Sequence, residues 1–173
     1  MLSNHSAVAD VNIEVFHIHK DGRCLGSWSK EVQIEEQELA EVFRFKDLYR
    51  EVQDRTEESI YVSASVNGAL VADDMLFFCS YIEYSGEYNG LDVRIEKTGE
   101  NKWQVQIEAK HPVRMVELES NQKLLLSDNY FPIIPRKPKI IEVKLLERTS
   151  EGQVMLTAGI LGSKEKLDFL LNN

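Results

Sequence analysis

Apolar and polar residues alternate along much of the chain, which is typical of β-strands with one buried face. The clearest case is the pair of segments 91–96 and 103–109, joined by a turn at Thr98–Asn101. Asp21-Gly22 and Asn67-Gly68 are dipeptides that favour tight hairpin turns, and each lies between two alternating segments. The same pattern predicts further strands at 11–18, 24–34, 60–66, 69–72, 75–80, 113–118, 123–126, 139–146, 152–158 and 166–171.

Residues 36–53 depart from this alternation and contain many strong helix formers. We interpret them as a short strand around Val42–Phe45 followed by one or two helical turns at 47–53. A single helix over 36–53 is the alternative. Asp73-Asp74 is expected to interrupt the strand that begins at Ala69, because two carboxylates are unusual inside a strand.

Residues 81–90 change the composition abruptly and carry two glycines, which is typical of a boundary between domains. We therefore expect one domain at 1–85 and a second at 86–173. The second contains about seven short strands separated by turns, which is the pattern of a β-sandwich. The sequence predicts an all-β protein made of two tandem immunoglobulin-like β-sandwich modules.

Two predicted strands, 123–126 and 139–146, enclose a segment of unusual composition. Asp128 and Asn129 are residues that hydrogen-bond to nearby backbone. Three prolines follow, each of which removes a ladder donor and prevents a central strand. Several aromatic and branched side chains are too apolar for a solvated loop, so we expect the segment to close the sandwich or to dock on a neighbour; they are Tyr130, Phe131, Ile133 and Ile134.

The charge of the chain limits its partners. Its 173 residues carry a net charge of −9, which argues against nucleic acid, because nucleic-acid binding needs clustered Lys and Arg. No apolar run reaches the roughly 20 residues of a membrane helix, so we expect no membrane partner. The first residues lack the basic start and apolar core of a signal peptide, and the cellular location is not indicated.

No set of residues forms a convincing catalytic or metal site. His17 and His19 share one face of a strand, but a metal site needs further ligands, so we predict no metal and no cofactor. A glycosidase needs two carboxylates about 5–10 Å apart in a cleft. The acidic groups at 35–41, Glu57-Glu58 and Asp73-Asp74 are instead expected on solvated turns.

The cysteines and aromatic residues leave two smaller hypotheses. Cys24 and Cys79 are expected to be thiols, because Cys24 follows a turn where no central strand of an immunoglobulin bridge is expected. Tyrosines and a tryptophan could form a carbohydrate-binding platform, and packing is the competing explanation; the candidates are Tyr81, Tyr84, Tyr88, Trp103 and Tyr130.

The run Ser127-Asp128-Asn129-Tyr130-Phe131, followed by an apolar pair and Pro135, resembles a motif in the last domain of β-mannosidase-type family 2 glycoside hydrolases. Asp21-Gly22 and Leu76-Phe77-Phe78 resemble features of the preceding domain of those enzymes at the level of pattern. One departure is that the Pro-Gly-Glu turn of the family is Pro135-Arg136-Lys137 in this chain.

The resemblance implies a non-catalytic C-terminal region of an exo-acting enzyme that hydrolyses terminal β-D-mannose residues. Its partner would be a catalytic (β/α)8 barrel, which it would pack on and stabilise, and the resemblance also allows contact with a manno-oligosaccharide. No residue corresponds to the glutamates of the catalytic barrel, so we expect the chain to be a fragment that is inactive alone. In this interpretation Ser127–Phe131 and Pro135 form a structural clasp.

Two alternatives remain open on the sequence. One is a carbohydrate-binding module that uses Tyr84, Tyr88 and Trp103. The other is a stand-alone interaction protein built from tandem sandwiches.

Overall fold

The computed structural model of the chain describes residues 2–3, 9–35, 39–44, 46, 49–80, 83–84, 90–147, 153–161, 163 and 166–171. The chain divides into two compact units, residues 1–86 and residues 87–173. Strands provide most of the regular structure in both, so the all-β fold class is confirmed.

The first unit contains a four-stranded antiparallel sheet and a separate two-stranded sheet. The four-stranded sheet has the order β3-β2-β5-β6, and β1 pairs with β4. The strands are β1 Leu2–Ser3, β2 Ala9–His19, β3 Cys24–Ile34, β4 Leu39–Ala40, β5 Glu58–Val66 and β6 Ala69–Phe77.

Two hairpins of this unit follow directly from their turn residues. Gly22, between β2 and β3, has a φ of 89°, a conformation that glycine adopts without steric cost. Asn67 and Gly68 have φ values of 52° and 80°, so both central residues of the β5–β6 turn are left-handed. Both predicted hairpins are confirmed, and the register of β2 against β3 shifts between His17 and Ile18, as a bulge requires.

Apolar residues on one face of this sheet form a small core. Val11, Ile13 and Ala64 are buried together with Ile34. Val42 and Phe43 pack against this cluster. They lie in irregular backbone, so the strand predicted around Val42–Phe45 is wrong over its described residues.

The other sequence interpretation of this region is only partly testable. Lys46 and Tyr49 are helical, whereas most residues of 36–38 and 45–48 lie outside the described part of the chain. The alternative of one helix over 36–53 is wrong, because β4 and irregular residues at 41–44 occupy part of that range.

The expected interruption at Asp73-Asp74 is also wrong, because β6 runs through both residues. β6 is an edge strand, so its polar side chains need not be buried on two faces. The hydroxyl of Tyr61 on β5 donates a hydrogen bond to Asp73 Oδ2 at 3.0 Å. Partial burial and a tyrosine partner therefore accommodate Asp73 within the strand.

The second unit is a sandwich of two four-stranded antiparallel sheets, with the orders β10-β12-β8-β7 and β11-β9-β13-β14. Its strands are β7 Leu91–Gly99, β8 Lys102–Ala109, β9 Val113–Ser120, β10 Lys123–Leu126, β11 Phe131–Ile133, β12 Lys139–Glu147, β13 Val154–Ile160 and β14 Lys166–Leu171. The predicted strands of this unit are confirmed, and β11 is the described strand that the pattern did not predict.

Alternation along the strands builds the core between these sheets. On β8 the side chains of Trp103, Val105 and Ile107 are buried, and Lys102 at the start of the strand is exposed. They belong to one cluster with residues of the opposite sheet such as Val116 and Leu156. Burying each such side chain contributes about 1.5–3 kcal/mol, so this core accounts for much of the stability of the unit.

Two further expectations concern covalent and membrane properties. Cys24 and Cys79 form no disulfide with each other. Within the described residues, no helix is both long enough and apolar enough to span a membrane.

Candidate functional site

The segment that follows β10, residues 127–138, is held to the sandwich at its first residue. We call it the 127–138 loop. Ser127 N donates to the carbonyl oxygen of Glu142 at 2.9 Å, and Glu142 N donates to Ser127 Oγ at 2.9 Å. Ser127 therefore prolongs the pairing of β10 with β12 by one position before the chain leaves the sheet.

Asn129 connects the loop to β9, because its side-chain amide binds both backbone groups of Leu118 as a neighbouring strand would. Leu118 N donates to Asn129 Oδ1 at 2.8 Å, and Asn129 Nδ2 donates to the Leu118 carbonyl at 3.0 Å. The backbone N–H of Asn129 also donates to Asp128 Oδ1 at 2.8 Å. The bond to Asp128 is the local kind expected of Asp-Asn in a turn, whereas the two bonds to Leu118 join residues 11 positions apart and were not expected. Together they fix the path of the chain between two opposing sheets.

Asp128 and Lys139 close the base of the loop with an ion pair of 2.8 Å. The Lys139 side chain is only 9% exposed, and its ammonium group lies 5.3 Å from the centroid of the Phe131 ring. A largely buried ammonium needs such partners, because an unpaired buried charge is costly. The ion pair and the ring contact together hold the two ends of the loop.

Phe131 is the main apolar anchor, at 2% exposure. Pro132, Ile133 and Ile134 are buried next to it, and Phe131–Ile133 forms β11. β11 is an edge strand beside β9, so the missing N–H of Pro132 is tolerated there. The apolar residues of the loop thus pack within the second unit.

Tyr130 has the opposite environment. It is 56% exposed, has a φ of 60° and donates its hydroxyl to Glu117 Oε1 at 2.9 Å. Its hydrogen bond to Glu117 and the charge of that carboxylate raise the pKa of the Tyr130 hydroxyl, because both favour the neutral form. Tyr130 is the one residue of Ser127–Phe131 that combines strained backbone with an exposed ring.

The tip of the loop is a tight turn after Pro135. Lys137 N donates to the Ile134 carbonyl at 3.3 Å, and Arg136 between them has a φ of 68°. This is the left-handed conformation that glycine adopts most readily. The turn therefore keeps a glycine-like backbone at the position where the sequence departs from Pro-Gly-Glu.

Two of the five aromatic residues considered as carbohydrate contacts are buried. Trp103 is 1% exposed and belongs to the sandwich core. Tyr84 is buried with its ring 4.6 Å from that of Phe77, and burial raises the pKa of its hydroxyl to about 12. Neither offers an exposed face for a sugar ring to stack on. Tyr81 and Tyr88 lie outside the described residues.

A second polar cluster, in the first unit, was not anticipated. His17 Nε2 lies 2.6 Å from Glu58 Oε2, and both residues are buried. The Glu58 carboxylate also accepts the backbone N–H groups of Gln53 and Asp54 at 3.1 Å and 3.0 Å. The expectation that Glu58 lies on a solvated turn is therefore wrong. These hydrogen bonds stabilise a carboxylate at the buried start of β5.

His19, the neighbour of His17 on the same face, contacts acidic groups nearer the surface. Its Nε2 lies 3.1 Å from Glu57 Oε2, and its Nδ1 lies 3.0 Å from Asp21 Oδ1. Hydrogen bonds from Lys20 and His19 lower the pKa of Glu57. No group of three or more His, Cys, Asp or Glu suited to a metal ion occurs in the described part of the chain.

The sequence of the second unit matches the family model of the mannosidase Ig-fold domain over residues 89–157. This range includes the whole 127–138 loop and β7 to β12. Residues 89–157 are a mannosidase-type Ig-fold domain. The resemblance found in Ser127–Phe131 is thereby confirmed.

The mannosidase-type domain and the unit before it also resemble solved structures of glycosidases. The β-D-mannosidase of Dictyoglomus thermophilum has a TM-score of 0.70 at 16% identity, over 96% of this chain and 19% of that enzyme. The exo-chitosanase of Amycolatopsis orientalis has a TM-score of 0.63 at 9% identity, over 95% of this chain and 24% of that enzyme. At these identities the likeness is one of fold.

The coverage of these comparisons sets the scale of the likeness. The chain spans 19% of the mannosidase and 24% of the exo-chitosanase. A comparison with curated protein sequences gave no match.

Proposed function

We propose that this chain is a non-catalytic β-sandwich region of a β-mannosidase-like exo-glycosidase and that it packs on and stabilises a catalytic (β/α)8 barrel. The family match of residues 89–157 carries this proposal. The fold likeness to two glycosidases of which the chain spans only a small part supports it.

The chemistry of the described residues agrees with a structural role. Hydrolysis of a glycosidic bond needs two carboxylates in one cleft, about 5–10 Å apart. The second unit has a concavity of about 530 Å³, and Glu142 is the one carboxylate among the described residues that line it. Asp128 pairs with the largely buried Lys139 at 2.8 Å, and neither residue lines this concavity.

The geometry of the 127–138 loop supports a clasp within the unit. Phe131 and Ile133 anchor it in the core, and Asn129 fixes it to β9. A loop fastened in this way presents its outer residues, Tyr130 among them, in one fixed geometry. We propose that this rigid outer surface is what the mannosidase-type domain offers to the catalytic barrel.

The direct test is the activity of the purified 173-residue chain on p-nitrophenyl β-D-mannoside. We expect no turnover above the buffer background, with a known β-mannosidase as the positive control. Turnover that disappears when a single carboxylate is replaced by its amide would contradict the proposal.

A further inference from the structure

The outer face of the β10-β12-β8-β7 sheet contains a concavity of about 530 Å³. Its volume lies within the range of small-ligand sites, about 300–1,000 Å³. The side chains that matter for its chemistry are those of Lys102, Gln104, Leu125, Ser127, Glu142 and Lys144. We call it the Lys102–Lys144 concavity.

Strand register determines which of these groups are neighbours. Lys102 on β8 lies directly opposite Lys144 on β12, and Gln104 lies directly opposite Glu142. Alternate residues of a strand share a face, so these four side chains line the outer face together. Trp103, which lies between Lys102 and Gln104 along the strand, is in the core.

The two lysines form a like-charged pair. Directly opposite residues have Cβ atoms about 4.5–5.5 Å apart, and like charges at this separation destabilise a sheet. Both lysines are exposed, and among the described residues neither has an ion-pair partner. By contrast, Lys123 on the same sheet lies opposite Glu147 and pairs with it at 3.2 Å.

We propose that the Lys102–Lys144 concavity binds an acidic saccharide, whose carboxylate lies between the two ammonium groups. An anion there replaces the repulsion between the lysines with two charge-assisted hydrogen bonds. This inference is independent of the proposed packing on a barrel, because it concerns a ligand bound within the second unit.

The groups around the lysines favour a sugar over a simple anion. Gln104 and Glu142 provide amide and carboxylate partners for hydroxyl groups, and the Ser127 hydroxyl can donate a further hydrogen bond. Leu125 on β10 lies opposite Lys144 and is 56% exposed, so it offers apolar surface to the C–H groups of a pyranose ring. A bare phosphate or acetate would leave these groups unused.

The test is a titration of the isotope-labelled 173-residue chain with sodium D-glucuronate, followed by backbone amide NMR. D-glucose and sodium acetate are titrated in parallel at matched ionic strength. We expect saturable shifts at residues 102–104, 125–127 and 142–144 with glucuronate. Glucose and acetate should each bind at least about tenfold more weakly than glucuronate, since glucose lacks the carboxylate and acetate lacks the sugar hydroxyls.

Matched variants separate the site from non-specific attraction. Lys102→Gln and Lys144→Gln should each weaken glucuronate binding by about tenfold. Lys123→Gln, which removes a lysine from the same sheet outside the concavity, should leave the binding unchanged. Both site variants should melt no lower than the unmodified chain without ligand, because they remove a repulsion.

Three results would overturn the proposal. One is the absence of saturable shifts at the named residues. Another is equal weakening by Lys123→Gln, which would indicate general charge attraction. The third is equal affinity for acetate and glucuronate, which would mean that the sugar hydroxyls do not contribute to binding.

Discussion

Single residues of the 127–138 loop have distinct physical tasks. Phe131 provides apolar burial, Asn129 satisfies the backbone of Leu118, and Arg136 adopts a backbone conformation that suits glycine. The burial of Phe131 could be predicted from the sequence, since it lies in a run of residues too apolar for a solvated loop. The bonds between Asn129 and Leu118 could not, because only the fold brings β9 beside the loop. The conformation of Arg136 could not be predicted either, because a residue with a Cβ does not favour the left-handed region.

Replacing Phe131 by alanine should lower the free energy of unfolding of the second unit by about 3–5 kcal/mol, because the ring is buried and a cavity would remain. Denaturant unfolding followed by tryptophan fluorescence measures this, since Trp103 reports the second unit and Trp28 the first. Tyr130→Phe, at an exposed ring, is the matched control and should change the midpoint far less. A similar loss for both variants would mean that Phe131 does not anchor the loop.

Replacing Arg136 by glycine should raise the free energy of unfolding by up to about 1 kcal/mol, because a left-handed conformation is strained for any residue with a Cβ. Lys137→Gly, in the same turn but without a positive φ, should lower it through the added freedom of the unfolded chain. Thermal melts of the two variants test the difference. An equal loss of stability in both would show that Arg136 is not strained.

At the scale of elements, alternation predicted most strands but failed where tertiary contacts override local pattern. β10 and β14 begin and end where the sequence predicts. β11 was missed because it has three residues with a proline at the centre, a pattern that local rules exclude from central strands. Its existence depends on β9, which gives it a partner as an edge strand.

The buried start of β5 was missed for a related reason. A pair of glutamates indicates a solvated turn, whereas Glu58 accepts hydrogen bonds from residues that only the fold brings together. The paired acids at Asp73-Asp74 misled in the same way, since an edge strand accepts them. The periodicity of a sequence does not indicate which distant residues become hydrogen-bond partners.

His17→Ala should destabilise the first unit by about 3 kcal/mol or more, because it leaves the Glu58 carboxylate buried without its ring partner. The readout is the Trp28 unfolding transition, with the Trp103 transition as an internal reference. Arg23→Ala is the control, since it breaks an ion pair with Asp21 whose groups are exposed and should change little. Unchanged stability in His17→Ala would mean that the two backbone amides alone satisfy Glu58.

At the scale of the whole molecule, the all-β class and the likeness to mannosidase-type domains could be predicted from the sequence. The short motif that carried this likeness is Ser127–Phe131, and each of its side chains has a defined contact or is buried in the structure. The outer face of the β10-β12-β8-β7 sheet could not be predicted, since the opposition of Lys102 and Lys144 depends on register between strands about 40 residues apart. Strand alternation indicates which side chains face outward but not which of them meet.

We proposed above that the chain stabilises a glycosidase without taking part in its chemistry. The measurement that tests it most directly compares the native, complete protein with its Phe131→Ala variant. We expect β-mannosidase activity whose kcat/KM at low temperature is unchanged by the substitution. The half-life of that activity on heating should be shorter in Phe131→Ala than in Tyr130→Phe or the unmodified protein. Loss of kcat/KM in a variant that remains folded at low temperature, or a complete protein without glycosidase activity, would contradict the account.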